Sequence, residues 1–151
     1  MVLGPPQVNW LTILAGLVVL ALVGFAGWVR LAPTDPARWH VDPLTTADPQ
    51  TPNFARIQPG EVTLEGSAAV AAARVRAAME ALPRTRLIAG SESEGMMTFV
   101  TRSRLMGYPD YTTIRLTDGG TSLAALARSR FGQSDLGVNQ GRLEALKAAL
   151  R

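Results

Sequence analysis

The chain has 151 residues, of which 47% are hydrophobic and 18% are charged, and its formal net charge at pH 7 is +3. It contains no cysteine and one histidine, which excludes disulfides, thiolate zinc sites, cysteine nucleophiles and sites built from several histidines. So small a positive charge is not typical of nucleic-acid-binding domains, and we expect no nucleic-acid partner. The length allows one modest hydrophobic core together with an anchor or a tail.

The first predicted element is a transmembrane helix at residues 10–30, which follows an uncharged tail at residues 1–9. Residues 11–29 carry no charge, and as a helix they would extend roughly 28 Å, close to the thickness of the hydrocarbon core of a bilayer. Trp10 and Trp28 stand where interfacial anchors are expected. A cleaved signal peptide is the alternative, but the tail lacks the basic residues with which such peptides begin.

One face of the predicted helix carries small residues, which allow a second helix to approach closely. These residues are Thr12, Gly16, Gly24 and Gly27. The pattern predicts packing against another membrane subunit. Because glycine is frequent in membrane helices, composition alone is the alternative explanation.

Residues 31–60 are predicted to form an extended linker. They contain six of the ten prolines of the chain, and proline disfavours helix both at its own position and at the one before it. We expect this segment to leave the membrane and to wrap onto the following domain, with Trp39 and Phe54 as apolar tethers.

The remaining residues, 61–151, are predicted to form an α+β domain. An amphipathic helix is expected to begin after Ser67 and to stop at Pro83, and a second helix is expected to begin at Asn139 as its N-cap. Strands are expected at residues 61–65, 85–89, 96–103, 111–117 and 121–128, the last two joined as a hairpin. This order predicts a two-layer domain, an antiparallel sheet with two helices packed on one face.

The last predicted strand and the loop after it hold the strongest candidates for a binding site. Arg128 and Arg130 alternate along the strand and would share one face, where arginines of neighbouring strands could join them around a carboxylate, a phosphate or a lipid headgroup. The candidate ligand-binding residues are Arg102, Arg104, Arg115, Arg128, Arg130, Ser134, Asp135 and Asn139. The alternative is a structural role, in which Asp135 pairs with Arg130 or Arg142.

No common catalytic motif occurs in the sequence: it has no phosphate-binding loop, no nucleophile elbow and no H-E-x-x-H. His40 as base with Ser129 or Ser134 as nucleophile is the one arrangement available, and His40 is distant from both in sequence. Glu92 and Glu94 lie in a polar turn, where solvation is the simpler explanation. We therefore expect no enzymatic activity, no metal site and no cofactor.

The run Ser129 to Asn139, SRFGQSDLGVN, followed by Arg142, resembles the most characteristic stretch of the domain-of-unknown-function family 1499. Further matches are DPARWH at residues 35–40, Pro52-Asn53 and the T-x-R segment at Thr101. The resemblance covers roughly residues 35–151. It implies a small membrane-anchored or exported bacterial protein, with relatives in plastids and no established enzymatic activity. Gln140 replaces an arginine of the family pattern, which favours a structural role for the motif.

The side of the membrane on which the domain lies is predicted differently by two signals. Arg30 and Arg38 follow the span and no basic residue precedes it, which favours the cytoplasm. The family resemblance implies an exported domain, and on that basis we expect a single-pass protein of the bacterial inner membrane with a periplasmic domain.

The predicted function is a non-catalytic accessory or assembly subunit of an inner-membrane protein complex, for which an energy-transducing complex is one candidate. It follows from the single span with its small-residue face, the extended linker and the missing catalytic motifs. The expected partners are the lipid bilayer and other membrane protein subunits. The alternative function is a membrane-tethered domain that binds a small anionic ligand or a lipid headgroup through clustered arginines.

Overall fold

The computed structural model describes residues 9–151, so the predicted tail lies outside the described residues except for Asn9. Helix α1 runs from Trp10 to Leu31, and the Asn9 side chain caps it by accepting a hydrogen bond from the Leu11 N–H at 3.1 Å. With a mean hydropathy of 2.3, α1 is long and apolar enough to cross a membrane. The apolar helix expected from the sequence is therefore present.

The other elements form an α+β domain. In chain order they are α2 (Pro36–Trp39), β1 (Phe54–Ile57), α3 (Ala68–Glu80), β2 (Thr85–Ser91), β3 (Met96–Arg102), β4 (Pro109–Thr117), a 3-10 turn (Asp118–Gly120), β5 (Ser122–Ser129) and α4 (Val138–Leu150). The strands form one antiparallel sheet in the order β1-β5-β4-β3-β2. The predicted fold class is confirmed.

Helices α3 and α4 pack on one face of the sheet, which we call the helix face. Ser67 caps α3 by accepting from the Val70 N–H at 3.4 Å, as its position before an apolar stripe predicts. The main core residues are Ala71, Ala72, Val75 and Met79 of α3, Leu143, Leu146 and Leu150 of α4, and Ile57, Met97, Phe99, Ile114 and Leu123 of the sheet. Burial of this apolar surface holds the two layers together.

The opposite face of the sheet, which we call the back face, is covered by the segment that follows α1. Trp39 is only 7% exposed, and its ring stacks on Tyr111 at a centroid distance of 3.9 Å. The Thr113 hydroxyl donates to the Trp39 carbonyl at 2.9 Å. Trp39 therefore acts as the predicted apolar tether.

Two sequence-based boundaries are wrong. Residues 31–60 are not an extended linker throughout, because α2 and β1 lie within them and β1 pairs with β5, so the sheet begins before residue 61. Residues 61–65 are not a strand and form only an isolated bridge between Thr63 and Ser122. Val62 and Leu64 are buried in the core. The alternation of apolar and polar residues at 61–65 therefore reflects the burial of one side of this segment, which is not paired as a strand of the sheet.

One end of the sheet lies next to α1, and we call it the anchor end. The register pairs Phe54 with Arg128 and Arg102 with Pro109, so the starts of β1 and β4 and the ends of β3 and β5 meet there. The turns that follow β2 and β4 lie at the opposite, distal end. The loops after β3 and β5 are consequently placed beside the C-terminal end of α1.

Candidate functional site

The last two turns of α1, residues 25–31, which we call the foot, rest against the anchor end through an aromatic cluster. The Phe25 ring lies 6.3 Å from that of Tyr108, the Trp28 ring lies 5.8 Å from that of Phe131, and Tyr108 and Phe131 are 5.8 Å apart. Val29, in the same stretch of α1, is fully buried. Aromatic contacts of this kind add to the free energy of apolar burial, so the foot is fixed to the domain by packing.

Polar contacts reinforce this attachment. The Arg30 guanidinium donates to the Leu105 carbonyl, and the Arg130 guanidinium donates to the Pro33 carbonyl at 2.8 Å. Gly107 has a φ of +74°, and a Cβ there would lie 2.6 Å from Cγ of Arg30. Glycine at this position therefore allows both the turn and the close passage of the arginine stem.

The loop after β5, residues 130–137, which we call the motif loop, is held by Asp135. Its carboxylate accepts from the Gly137 N–H at 3.2 Å and from the Asn139 N–H at 2.8 Å. The N-cap residue of α4 is Gly137, with a φ of +80°, so the prediction that Asn139 is the N-cap is wrong. Asp135 performs the capping instead, because its carboxylate reaches the unpaired N–H groups of the first turn.

Asn139 is instead the centre of a buried polar network. Its side-chain N–H groups donate to the Asn53 carbonyl and to the Ser129 hydroxyl, both at 3.0 Å, and its oxygen accepts from Arg142 at 2.6 Å. Arg142 also pairs with Asp110 of β4 at 2.9 Å. The pairing proposed between Asp135 and Arg130 or Arg142 is not found among the ion pairs of residues 9–151. The network joins β4, β5, α4 and the segment before β1.

A cleft of about 450 Å³ lies between the foot and the motif loop. Its apolar lining includes Phe25 and Phe131. Among its polar lining residues, Ser134 accepts from the Leu136 N–H at 3.2 Å, and Asp110 and Asp135 make the contacts described above. Ser134 and Asp135, both predicted as ligand-binding, thus make hydrogen bonds within the motif loop and to the first turn of α4.

The five arginines predicted to converge do not form one site. Arg115 forms an ion pair with Asp42 at 2.8 Å, and Arg130 donates a hydrogen bond to the Pro33 carbonyl in the segment after α1. The register explains the separation: Arg102 is opposite Pro109 at the anchor end, whereas Arg115 is opposite Met96 near the distal end. Only Arg102 and Arg104 remain together.

Arg128 lies on the back face against Trp39. Its guanidinium carbon is 4.9 Å from the Trp39 ring centroid, and the group donates to the Trp39 carbonyl at 3.2 Å. Burial lowers the pKa of the Arg128 guanidinium from its ordinary value, and the positive charges of Arg38 and Arg56 lower it further. Arg128 therefore packs against Trp39 and does not face a ligand.

Arg102 and Arg104 belong to a different cluster, which we call the Arg groove. It has a volume of about 490 Å³, and its charged lining consists of Arg30, Arg84, Arg86, Arg102 and Arg104. Arg84 and Arg86 are not among the ligand-binding residues predicted from the sequence, and Arg30 is considered there only as a signal of topology. The available signal was a pair of R-x-R segments, one at the start of β2 and one at the end of β3, which an antiparallel pairing brings side by side.

The small-residue face of α1 is not covered by the described part of this chain. A Cβ at Gly16, Gly24 or Gly27 would have no neighbour within 4 Å. Thr12 and Trp10 lie in the exposed first turn of α1, and Trp28 lies in the foot. The predicted packing face is thus available to another helix.

The candidate catalytic groups lie on different faces of the sheet. The His40 ring is hydrogen-bonded to the Thr98 hydroxyl at 2.9 Å, while Ser129 contacts α4 on the helix face. Glu92 forms an ion pair with Arg76 at 3.4 Å in the distal turn, and Glu94 accepts from Ser91. Within residues 9–151 no cluster of three histidine, aspartate or glutamate side chains is placed to hold a metal ion.

Comparison with family models shows which family this fold represents. Residues 31–150 match the model of the family described as Protein of unknown function (DUF1499). The chain belongs to this family. The DUF1499 region begins at Leu31, the last residue of α1, and covers α2, the whole sheet, α3 and all of α4. No curated protein and no solved structure matches the chain.

Proposed function

We propose that this DUF1499 protein is a non-catalytic accessory or assembly subunit of a bacterial inner-membrane protein complex, an energy-transducing complex being one candidate. The observation that carries the proposal is the attachment of the foot of α1 to the anchor end. It fixes the domain against one end of an apolar helix whose remaining length is uncovered. Such a subunit works by contact, through α1 inside the bilayer and through the domain at its surface.

The exposed length of α1 supports membrane insertion and helix packing. Leu14, Leu17, Leu20 and Val23 are each more than half exposed, and a continuous apolar surface of this size needs lipid or protein around it. On a helical wheel Gly16, Leu20 and Gly24 lie along one strip, away from the Phe25 and Val29 side that contacts the domain. A partner helix can therefore pack on α1 without displacing the domain.

The non-catalytic role in this proposal is supported by the contacts of the buried polar groups. Asp110, Asn139 and Arg142 are bonded to one another or to the backbone in a buried network. His40 and Ser129, the first of the two candidate nucleophiles, lie on opposite faces of the sheet, and Ser134, the second, lies in the motif loop. These groups stabilise the fold and are not arranged to transfer a proton to a common substrate.

For the location of the domain we propose the periplasm, as the family resemblance implies. Arg30 and Arg38 favour the cytoplasm by the positive-inside rule, but Arg30 is bonded to the domain and so has a structural role. A C-terminal fusion to alkaline phosphatase, which is active only after export, tests this. Active phosphatase supports the periplasm, and an active cytoplasmic reporter with inactive phosphatase contradicts it.

The subunit proposal is tested by purifying the tagged full chain, expressed at native level, in a mild detergent. We expect it to migrate as part of a large complex with defined partner subunits. Gly16→Leu should release those partners because a larger side chain blocks close helix approach. The control Val18→Leu, about 160° away on the helical wheel, should retain them. A monodisperse wild-type monomer would contradict the proposal.

A further inference from the structure

We propose that the Arg groove binds the phosphate-bearing headgroup of an anionic phospholipid in the bilayer that α1 crosses. The inference rests on the proposed membrane insertion of α1, but it concerns a site made by other residues. Four segments of the chain contribute residues to the Arg groove: the foot of α1, the start of β2, the end of β3 and the loop after β3.

The charge of the groove calls for an anion. Arg30, Arg84, Arg86, Arg102 and Arg104 line it, and within residues 9–151 none of them forms an ion pair with a carboxylate. Like charges gathered without a counter-charge raise the free energy of the folded state. A phosphate relieves this repulsion, and the planar guanidinium group binds phosphate through two parallel hydrogen bonds.

The groove is partly preorganised. The Arg84 side chain donates to the Arg102 carbonyl at 2.9 Å, and the Arg102 side chain donates to the Gly107 carbonyl at 3.0 Å. These bonds fix two of the guanidinium groups while leaving other N–H groups on each. The side chains of Arg86 and Arg104 are exposed and form no hydrogen bond within residues 9–151, so both can turn towards a ligand.

The position of the groove selects a lipid over a soluble anion. Arg30 stands in the last turn of α1, where a membrane-spanning helix reaches the headgroup region. It bonds Leu105, which is 81% exposed and follows Arg104 directly. An exposed leucine beside arginines matches an interface at which headgroups and acyl chains meet, and basic pockets at such interfaces bind anionic lipid headgroups.

The test uses the full chain reconstituted in phosphatidylcholine vesicles that contain trace spin-labelled phosphatidylglycerol or spin-labelled phosphatidylcholine. Electron spin resonance gives the fraction of each lipid held at the protein, and flotation of the vesicles separately reports insertion of α1. We expect a several-fold preference for phosphatidylglycerol. The double variant Arg86→Gln/Arg104→Gln should reduce it towards equality, since neither side chain has an internal partner to lose.

The control Arg76→Gln/Arg151→Gln removes the same formal charge far from the groove, at the cost of the ion pairs of Arg76 with Glu80 and Glu92, and should keep the preference. Equal association of both lipids with the wild type, or a preference that both double variants lower equally, would overturn the proposal. Inorganic phosphate at millimolar concentration should not abolish the preference; if it does, the site takes soluble phosphate and the lipid assignment is wrong. Failure of flotation would overturn membrane insertion instead.

Discussion

Arg142 of α4 and Asp110 of β4 form a nearly buried ion pair, with 2.9 Å between Nη2 and Oδ2 and side-chain exposures of 7% and 11%. Asn139 accepts a second hydrogen bond from Arg142, so the guanidinium is held between a strand and the first turn of a helix. A buried charge pair of this kind is sensitive to the loss of either partner, because the remaining charge stays out of water.

Replacement of Arg142 by methionine should therefore lower the free energy of unfolding by about 3–5 kcal/mol. The measurement is urea unfolding of the full chain in mild detergent, followed by tryptophan fluorescence. The pair of Glu61 and Lys147, with side-chain exposures of 41% and 15%, is more open to solvent and provides the control: Lys147→Met should cost less than about 1 kcal/mol. Equal effects of the two substitutions would show that the buried network does not stabilise the domain.

Trp39→Ala should also destabilise the domain strongly, by about 3–5 kcal/mol, because it removes a buried aromatic that stacks on Tyr111. Trp10→Ala is the matched control, since Trp10 is 76% exposed at the far end of α1. Both variants can be compared by the urea concentration at the unfolding midpoint. A Trp39 variant as stable as the wild type would mean that residues 33–46 do not belong to the folded domain.

Strand β1 could not be predicted from the sequence. Phe54–Ile57 is four residues long, too short for its alternation to be distinguished from chance, and it becomes a strand because β5 offers it an open edge. By contrast α3, α4 and the hairpin of β4 and β5 have long periodic patterns and local stop signals, and each lies close to its predicted position.

The candidate site was predicted less well, for a similar reason. Whether arginines converge depends on the register between strands, which places Arg102 and Arg115 at opposite ends of the β3–β4 pair. The role of Asn139 likewise depends on Asn53, a residue far away in sequence. Local patterns therefore identified the residues of the motif, while the fold determined their contacts.

Gly107→Ala should loosen the attachment of the foot of α1. Alanine at a φ of +74° costs about 1–2 kcal/mol, and its Cβ would also displace the Arg30 stem. Because the chain has no cysteine, spin labels on cysteines introduced at Leu17 and Leu136 report the distance between helix and motif loop. We expect one narrow distance distribution in the wild type and a broad one in the variant.

Gly119→Ala is the matched control for this experiment. Its φ of +69° imposes a similar backbone cost, but a Cβ there has no neighbour within 4 Å, and it lies in the distal turn. The distribution should therefore stay narrow. Broadening in both variants would indicate a general loss of stability, and no broadening in the Gly107 variant would contradict the packed foot.

Glu61 gives a pH-dependent prediction. The hydrogen bond from Lys147, followed by that from the Gln58 N–H, lowers the pKa of Glu61 from its ordinary value of 4.5. The ionised Glu61 therefore contributes its full stabilisation of the fold at pH values above 4.5. This stabilisation is lost as the pH falls through the lower pKa that Glu61 has in the folded state. Solvent screening limits the effect to about 0.5 kcal/mol.

Glu61→Gln should accordingly flatten the acid side of the curve of unfolding free energy against pH. Glu65→Gln, at an exposed position without an ion pair in residues 9–151, should leave the curve unchanged. An identical acid limb in the wild type and the Glu61 variant would show that the bond to Lys147 is not formed in solution.

Packing of α1 against another membrane subunit can be measured by photo-crosslinking in cells with photo-leucine placed at a single site. Leu20 lies in the strip of Gly16 and Gly24, and Leu22 lies about 160° away on the helical wheel. We expect a discrete adduct with another polypeptide from Leu20 and little from Leu22. Absence of any protein adduct from Leu20, or equal adducts from both positions, would contradict this packing.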